Sequence, residues 1–167
     1  MIFQDKAQAL GLIGVRILRK NGDIEYPEFA ITRNGICDAG FNDMLGVYFH
    51  VDTQASAWYA LLIAASPTLS ASDTIASHSG WTEVTAYSNS TRVAIPFNAS
   101  ASKSIANTTT ANFNINADGT VVSGIGVVNN STKGGTSGKL WATGLFGSAV
   151  TLNNGDVLQI TYQMSLA

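Results

Sequence analysis

Residues 77–92, SHSGWTEVTAYSNSTR, gather His78, Trp81, Glu83, Tyr87 and Arg92 among small polar residues. Imidazole, carboxylate, phenol and guanidinium are the groups that move protons and grip ligands. A glycosidase site needs two carboxylates about 5–10 Å apart. Glu83 has no second carboxylate in its own stretch, and Asp73 lies ten residues upstream in a polar segment. Serines are plentiful, but no G-x-S-x-G elbow presents one to a histidine. The metal spacings HxxxH, CxxC and D-x-D-x-D are absent from the sequence, so neither a metal nor another cofactor is expected. The stretch KGGTSGKL resembles a phosphate loop but has Lys133 and Leu140 where that loop needs Gly and Ser or Thr. Cys37, the sole cysteine, cannot form an internal disulfide and reads as a small buried hydrophobe rather than a nucleophile. The chain is therefore not expected to be an enzyme.

Strand geometry gives the same residues another meaning. Side chains alternate across a strand, and residues 81–97 read as a hairpin around Ser88–Thr91. One face then carries Val84, Ala86, Val93, Ile95 and Phe97. The other carries Trp81, Glu83, Thr85 and Tyr87, with Arg92 across from Tyr87 and able to stack on it. Glu83 lies about 13 Å along the strand from Tyr87, at about 3.3 Å per residue, which leaves it short of Arg92. Two readings stay open for Trp81, Glu83, Tyr87 and Arg92. They pack inside the subunit, or they form an interface with a neighbour, as Trp, Tyr and Arg often do. The weakly charged surface tilts the reading toward a neighbour. Trp58, Trp81 and Trp141 could line a sugar groove, but each lies in an apolar strand, where core use is expected.

The chain has 167 residues, 46% hydrophobic and only 12% charged, with a net charge of -2. About 25% charged is typical, so the surface is poorly suited to a free monomer and suggests an oligomer, a dimer or a trimer. The charge gives no general attraction to nucleic acid. No apolar run approaches the roughly 18 residues of a membrane span and no targeting segment is evident, so a soluble chain with no membrane partner is expected.

The elements that would position these residues are mostly strands. LIGVRILRKNGDIEY reads as a hairpin turning at Asn21-Gly22. Asn34-Gly35 marks a further turn, and Asp38 a helix N-cap. The helix, over residues 39–48, carries Phe41, Leu45 and Tyr48 with Met44 at helical spacing. AWYALLIAA suits a strand buried on both faces, and SPTLSASDTIASHSG a long polar connection. FNINADGTVVSGIGVV holds two strands around Asp118-Gly119. NNSTKGGTSG is too rich in Gly and Ser to hold one shape unaided, and KLWATGLFGSAVTL is a strand pair or a bulged strand. The closing VLQITYQMSLA alternates with one core face. The fold class is mainly β, an antiparallel β-sandwich of jelly-roll or immunoglobulin-like type with one short helix. Residues 1–167 read as one domain with a more charged N-terminal hairpin segment, 1–53, which holds twelve of the twenty charged side chains.

The order ITRNGICDAGFNDML, AWYALLI, SDTIASHSGWTEVTAYSNSTR, TVVSGIGVVNN and NNGDVLQITYQMSLA resembles small structural proteins of tailed bacteriophages. The resemblance spans about residues 31–167 and implies a non-enzymatic virion protein, made in the host cytoplasm and carried on the particle. It implies most specifically a capsid decoration (cement) protein on the capsid surface. Such a protein binds the major capsid protein or other virion proteins across subunit junctions, with residues 1–53 as a candidate contact. The alternative is a tail- or fibre-associated module that binds a receptor or carbohydrate.

Overall fold

The computed structural model describes residues 9–27 and 31–166; the remainder of the expected 1–167 domain lies outside the described residues. Along the chain run β1 (Ala9–Leu18), β2 (Ile24–Glu25), β3 (Ile31–Ile36), α1 (Asp38–Phe49), β4 (Tyr59–Ile63), β5 (Glu83–Val84) and β6 (Val93–Ala94). They continue with β7 (Ser104–Ala106), β8 (Ala111–Asn114), β9 (Thr120–Val128), β10 (Leu140–Leu152) and β11 (Val157–Leu166). Every named strand pair is antiparallel, as expected for a sandwich.

The first sheet centres on β1 and β11, paired from Ala9 opposite Leu166 to Leu18 opposite Val157. Strands β2 and β3 share the free edge of β1, and β7 and β8 share that of β11. The second sheet runs β4, β9, β10, with β5 and β6 on the outer edge of β4. Period-two burial shows which face of each strand meets the core. Ile13, Val15 and Ile17 of β1 and Leu158, Ile160 and Tyr162 of β11 point inward, against Ile125 and Val127 of β9.

One strand belongs to both sheets. In β3, Ile31 to Asn34 pair with β1, whereas Gly35 and Ile36 pair with Thr143 and Ala142 of β10. Asn34-Gly35 is therefore not a turn. The chain stays extended there and changes sheet, because each half of β3 finds a ladder on a different partner. Far from this seam, the single bridges Tyr87 to Ile115 and Phe97 to Asn107 tie the loops of the two sheets together.

Strand β4 is buried on both faces, as its unbroken apolar run predicts. Ala60 and Leu62 enter the core between the sheets, while Leu61 and Ile63 join a second cluster with Cys37, Ile75, Trp81, Val128 and Leu140. The long polar connection supplies the cover, so it is more than a surface loop. Asp73 anchors it by accepting from Trp81 Nε1 at 2.9 Å and from the Ser70 amide at 3.0 Å. The β1–β2 hairpin forms around Gly22 at φ +93°, a conformation that costs glycine little. Its loop spans 19–23 rather than two residues, since Leu18 pairs with Ile24. Strand β10 bulges between Leu145 and Val150, the irregularity its sequence suggests.

Helix α1 starts one residue earlier than expected. Cys37 is the N-cap and makes no side-chain cap bond, while Asp38 falls in the first turn, where a carboxylate favours the helix dipole.

Candidate functional site

The chemistry-bearing stretch does not fold as a hairpin. Strands β5 and β6 do not pair with each other but lie in line along β4, Val84 opposite Leu62 and Val93 opposite Ala60. Residues 85–92 leave this line as an excursion. Side-chain alternation is shared by a hairpin and by two pieces docked on a third strand, so the pattern could not separate them.

The excursion brings Glu83 and Arg92 together. Arg92 Nε donates to Glu83 Oε1 at 3.0 Å and Nη2 to Oε2 at 2.7 Å, a two-pronged pair whose side chains are 0% and 7% exposed. The separation inferred from a regular strand is thereby corrected. Arg92 also donates to the carbonyls of Asn130 at 3.1 Å and Gly135 at 2.7 Å, and Glu83 Oε2 accepts from the Gly134 amide at 3.1 Å. Lys133 Nζ donates to the carbonyls of Tyr87 and Asn89, each at 2.8 Å, and lies 4.3 Å from the Tyr87 ring centroid. The cation on Tyr87 is thus Lys133. The Gly/Ser-rich loop that cannot hold a shape unaided is pinned by this buried ion pair.

These assignments leave little for acid–base chemistry. Trp81, Tyr87 and Arg92 are buried, and both Glu83 oxygens are engaged. His78 stacks on Trp81 at 3.8 Å and its Nδ1 meets the Trp81 carbonyl at 3.0 Å. Burial, with Glu83 nearby, pushes the Tyr87 phenol well above its ordinary range, so it stays protonated. Its hydroxyl is buried without a hydrogen-bond partner among the described residues. Burial likewise pushes the Cys37 thiol up, against the activation a nucleophile needs. All four residues considered as an interface, Trp81, Glu83, Tyr87 and Arg92, are packed within the subunit.

Exposed apolar side chains cluster instead on and just after α1. Its inward arc carries Gly40 and Asp43, with Met44 packed against the core. Gly40 is required there, because a Cβ would run into the Trp141 carbonyl oxygen. Asp43 is paired with Lys139, whose ammonium is held above its ordinary range by that hydrogen bond. The outward arc carries Phe41, Leu45, Tyr48 and Phe49, followed by Val51, at 38%, 51%, 80%, 78% and 89% exposure. The apolar stripe of the sequence therefore faces away from the core. Apolar residues lie on both arcs, and spacing alone does not choose between them. The inward face was set by the small residue that allows close approach to β10.

Residues 35–165 match the family described as podophage GP4 fiber I protein gp80. The chain belongs to that family. No curated protein and no solved structure matches it.

For a member of a phage fibre-protein family, exposed apolar surface bears on assembly with other virion proteins. A second apolar feature lies beside α1. Trp141, against which Gly40 rests, also lines a half-open cleft of about 140 Å³ with Trp58, Phe97, Tyr162 and Met164. Trp58 is half-buried and meets Trp141 edge-on at 5.8 Å, while Trp141 and Trp81 are core residues. Trp141 lies in the core as its apolar strand predicts, but the cleft has no local sequence signature, because its walls come from six separate strands and loops. Among the described residues, no His/Cys/Asp/Glu group could hold a metal ion, and no helix is long and apolar enough to cross a membrane.

Proposed function

We propose that this chain is a non-enzymatic structural subunit of the fibre apparatus of a tailed-phage particle, held to neighbouring virion proteins through exposed surface. The single observation that carries this reading is the fibre-family match over residues 35–165. The internal use of the Glu83, Arg92 and Lys133 charges supports it, because those groups stabilise a loop. The sequence by itself favours capsid decoration, and the fibre description of the family shifts the balance to a fibre position. A carbohydrate-binding role would need a groove with exposed aromatics. The Trp58 cleft, at about 140 Å³, is below the roughly 300 Å³ at which ligand pockets begin, whereas the open groove beside exposed Tyr26, at about 360 Å³, is above it.

Immunogold labelling of intact particles with antibody to this chain tests the reading. Label on fibres is the expected result. Label spread over the capsid faces would replace the fibre reading with the decoration one, and no label on particles would remove both.

A further inference from the structure

The outward face of the first sheet carries a groove that runs across its strands. Side chains on one face of a sheet stand in rows, one residue from each paired strand. One row is built of long side chains, with Arg16 of β1 opposite Gln159 of β11 and Gln159 opposite Asn112 of β8. Continuing the β1–β2 register one residue past Ile17–Glu25 brings Tyr26 abreast of Arg16. The next row is short, Gly14 opposite Thr161. Beyond it, Leu12, Gln163 and Ala106 form the far wall, about 13 Å from Arg16 at about 3.3 Å per residue. Two depressions, of about 360 and 260 Å³, meet over Gly14 and Thr161. A side chain at residue 14 would run into the Thr161 hydroxyl, so the glycine keeps the floor open.

The lining is polar around one exposed ring. Thr161 and Thr110 supply hydroxyls, Gln159 and Gln163 carboxamides, and Tyr26 a ring that is 67% exposed. That combination suits a ligand with an apolar ring face and many hydroxyls, the make-up of a sugar. A strand-adding peptide is a poorer fit, because it needs unpaired main-chain groups. Gly14 has a paired strand on each side, β11 and β3.

Charge narrows the class. Arg16 Nε donates to Gln159 Oε1 at 2.6 Å. Gln159 Nε2 in turn donates to Asn112 Oδ1 at 3.1 Å, which also accepts from Thr110 Oγ1 at 2.8 Å. This relay of neutral groups fixes the guanidinium and leaves its two Nη groups without a partner among the described residues. No carboxylate lines either depression. A guanidinium held this way is complementary to a carboxylate that meets both Nη groups.

We propose that this groove binds an acidic saccharide chain, with a sugar carboxylate on Arg16 and a ring face on Tyr26. The proposal stands on the sheet surface and does not depend on the fibre position.

Calorimetric titration of the purified full chain tests it, with a panel of uronate oligomers (galacturonate, glucuronate and mannuronate) set against neutral oligomers of the same length. At least one uronate oligomer binds, and its neutral counterpart binds more weakly by about 10-fold or more. Arg16→Met weakens the uronate by a similar factor and leaves the neutral oligomer unchanged. Tyr26→Ala weakens both by about 5-fold or more. Tyr48→Ala removes an exposed ring from α1 and changes neither. Thermal midpoints establish that each variant is folded, and Tyr26→Ala alone carries the test if Arg16→Met is not. No binding of any uronate at millimolar concentration overturns the proposal, including the case in which a virion protein covers this face instead. So does binding that both groove variants leave intact, or equal binding of inorganic polyphosphate, which would make Arg16 a general anion contact.

Discussion

Replacing Arg92 by Met keeps most of the aliphatic volume and removes a cation that is fully buried. Four side-chain hydrogen bonds go with it, two to Glu83 and one each to the carbonyls of Asn130 and Gly135. Glu83 is then left as a carboxylate 7% exposed, with the Gly134 amide as its remaining donor. Removing one partner of a buried pair costs about 3–5 kcal/mol, most of it from the charge left behind. At about 2–4 °C per kcal/mol for a chain of this length, the midpoint should fall by about 6–20 °C. Thermal and urea unfolding measure the loss, and amide exchange over residues 129–138 locates it. Exchange there should accelerate while β1 and β11 stay protected. Arg92→Lys should recover only part, since one ammonium cannot reproduce the two-pronged geometry. Glu83→Leu combined with Arg92→Met should cost less than the sum of the single changes by about 1–3 kcal/mol. A midpoint within about 1 °C of wild type, or unchanged exchange in 129–138, would falsify the view that the pair organises this loop.

Three further outcomes follow from other contacts. Burial works to raise the Asp156 carboxyl, but the Asn153 and Lys20 amides and Arg19 outweigh it and hold the group below 3.8. A depressed carboxyl contributes stability that is complete above its unfolded value and is lost as pH falls through the folded one. Asp156→Asn should therefore flatten the acid limb below about pH 3.8 and cost about 1–3 kcal/mol at neutral pH; an unchanged acid limb in pH-dependent urea unfolding counts against it. Gly40→Ala should destabilise by about 1–3 kcal/mol, because the new methyl meets the backbone of Trp141, and denaturant midpoints will show whether α1 can shift to absorb it. Cys37, 1% exposed with its thiol pushed up by burial, should resist a thiol reagent at pH 8 in the folded chain and react fully in denaturant. Rapid labelling without denaturant would contradict that burial.

The sequence carries the β class, the Asn21-Gly22 hairpin, the helix, the doubly buried β4 and the alternating β11. Each depends on a local pattern, a period of two, a period of 3.6 or a turn dipeptide. Pairing partners were not legible in the same way. Residues 81–97 alternate as a hairpin would, yet both arms dock on β4, whose apolar run is buried on both faces. Asn34-Gly35 has turn chemistry, yet ladders on two different strands keep it extended. The Glu83–Arg92 pair needs the excursion of 85–92, which no repeat in the sequence encodes. Orientation was hidden too, since α1 is apolar on both arcs and a single close approach at Gly40 decides which one faces in.

The family match begins at residue 35, where β3 passes from one sheet to the other. Everything before that point could be taken for an appendage. Strand β1, however, lies between β3 and β11 and makes a continuous ten-residue pairing with β11. Trimming the chain to its matched span would remove an interior stave of the first sheet together with Ile13, Val15 and Ile17. It would leave β11 with a vacant slot along its full length, which an extended segment of another molecule could fill. The evolutionary edge of the sequence similarity is thus not a seam along which the fold can be divided.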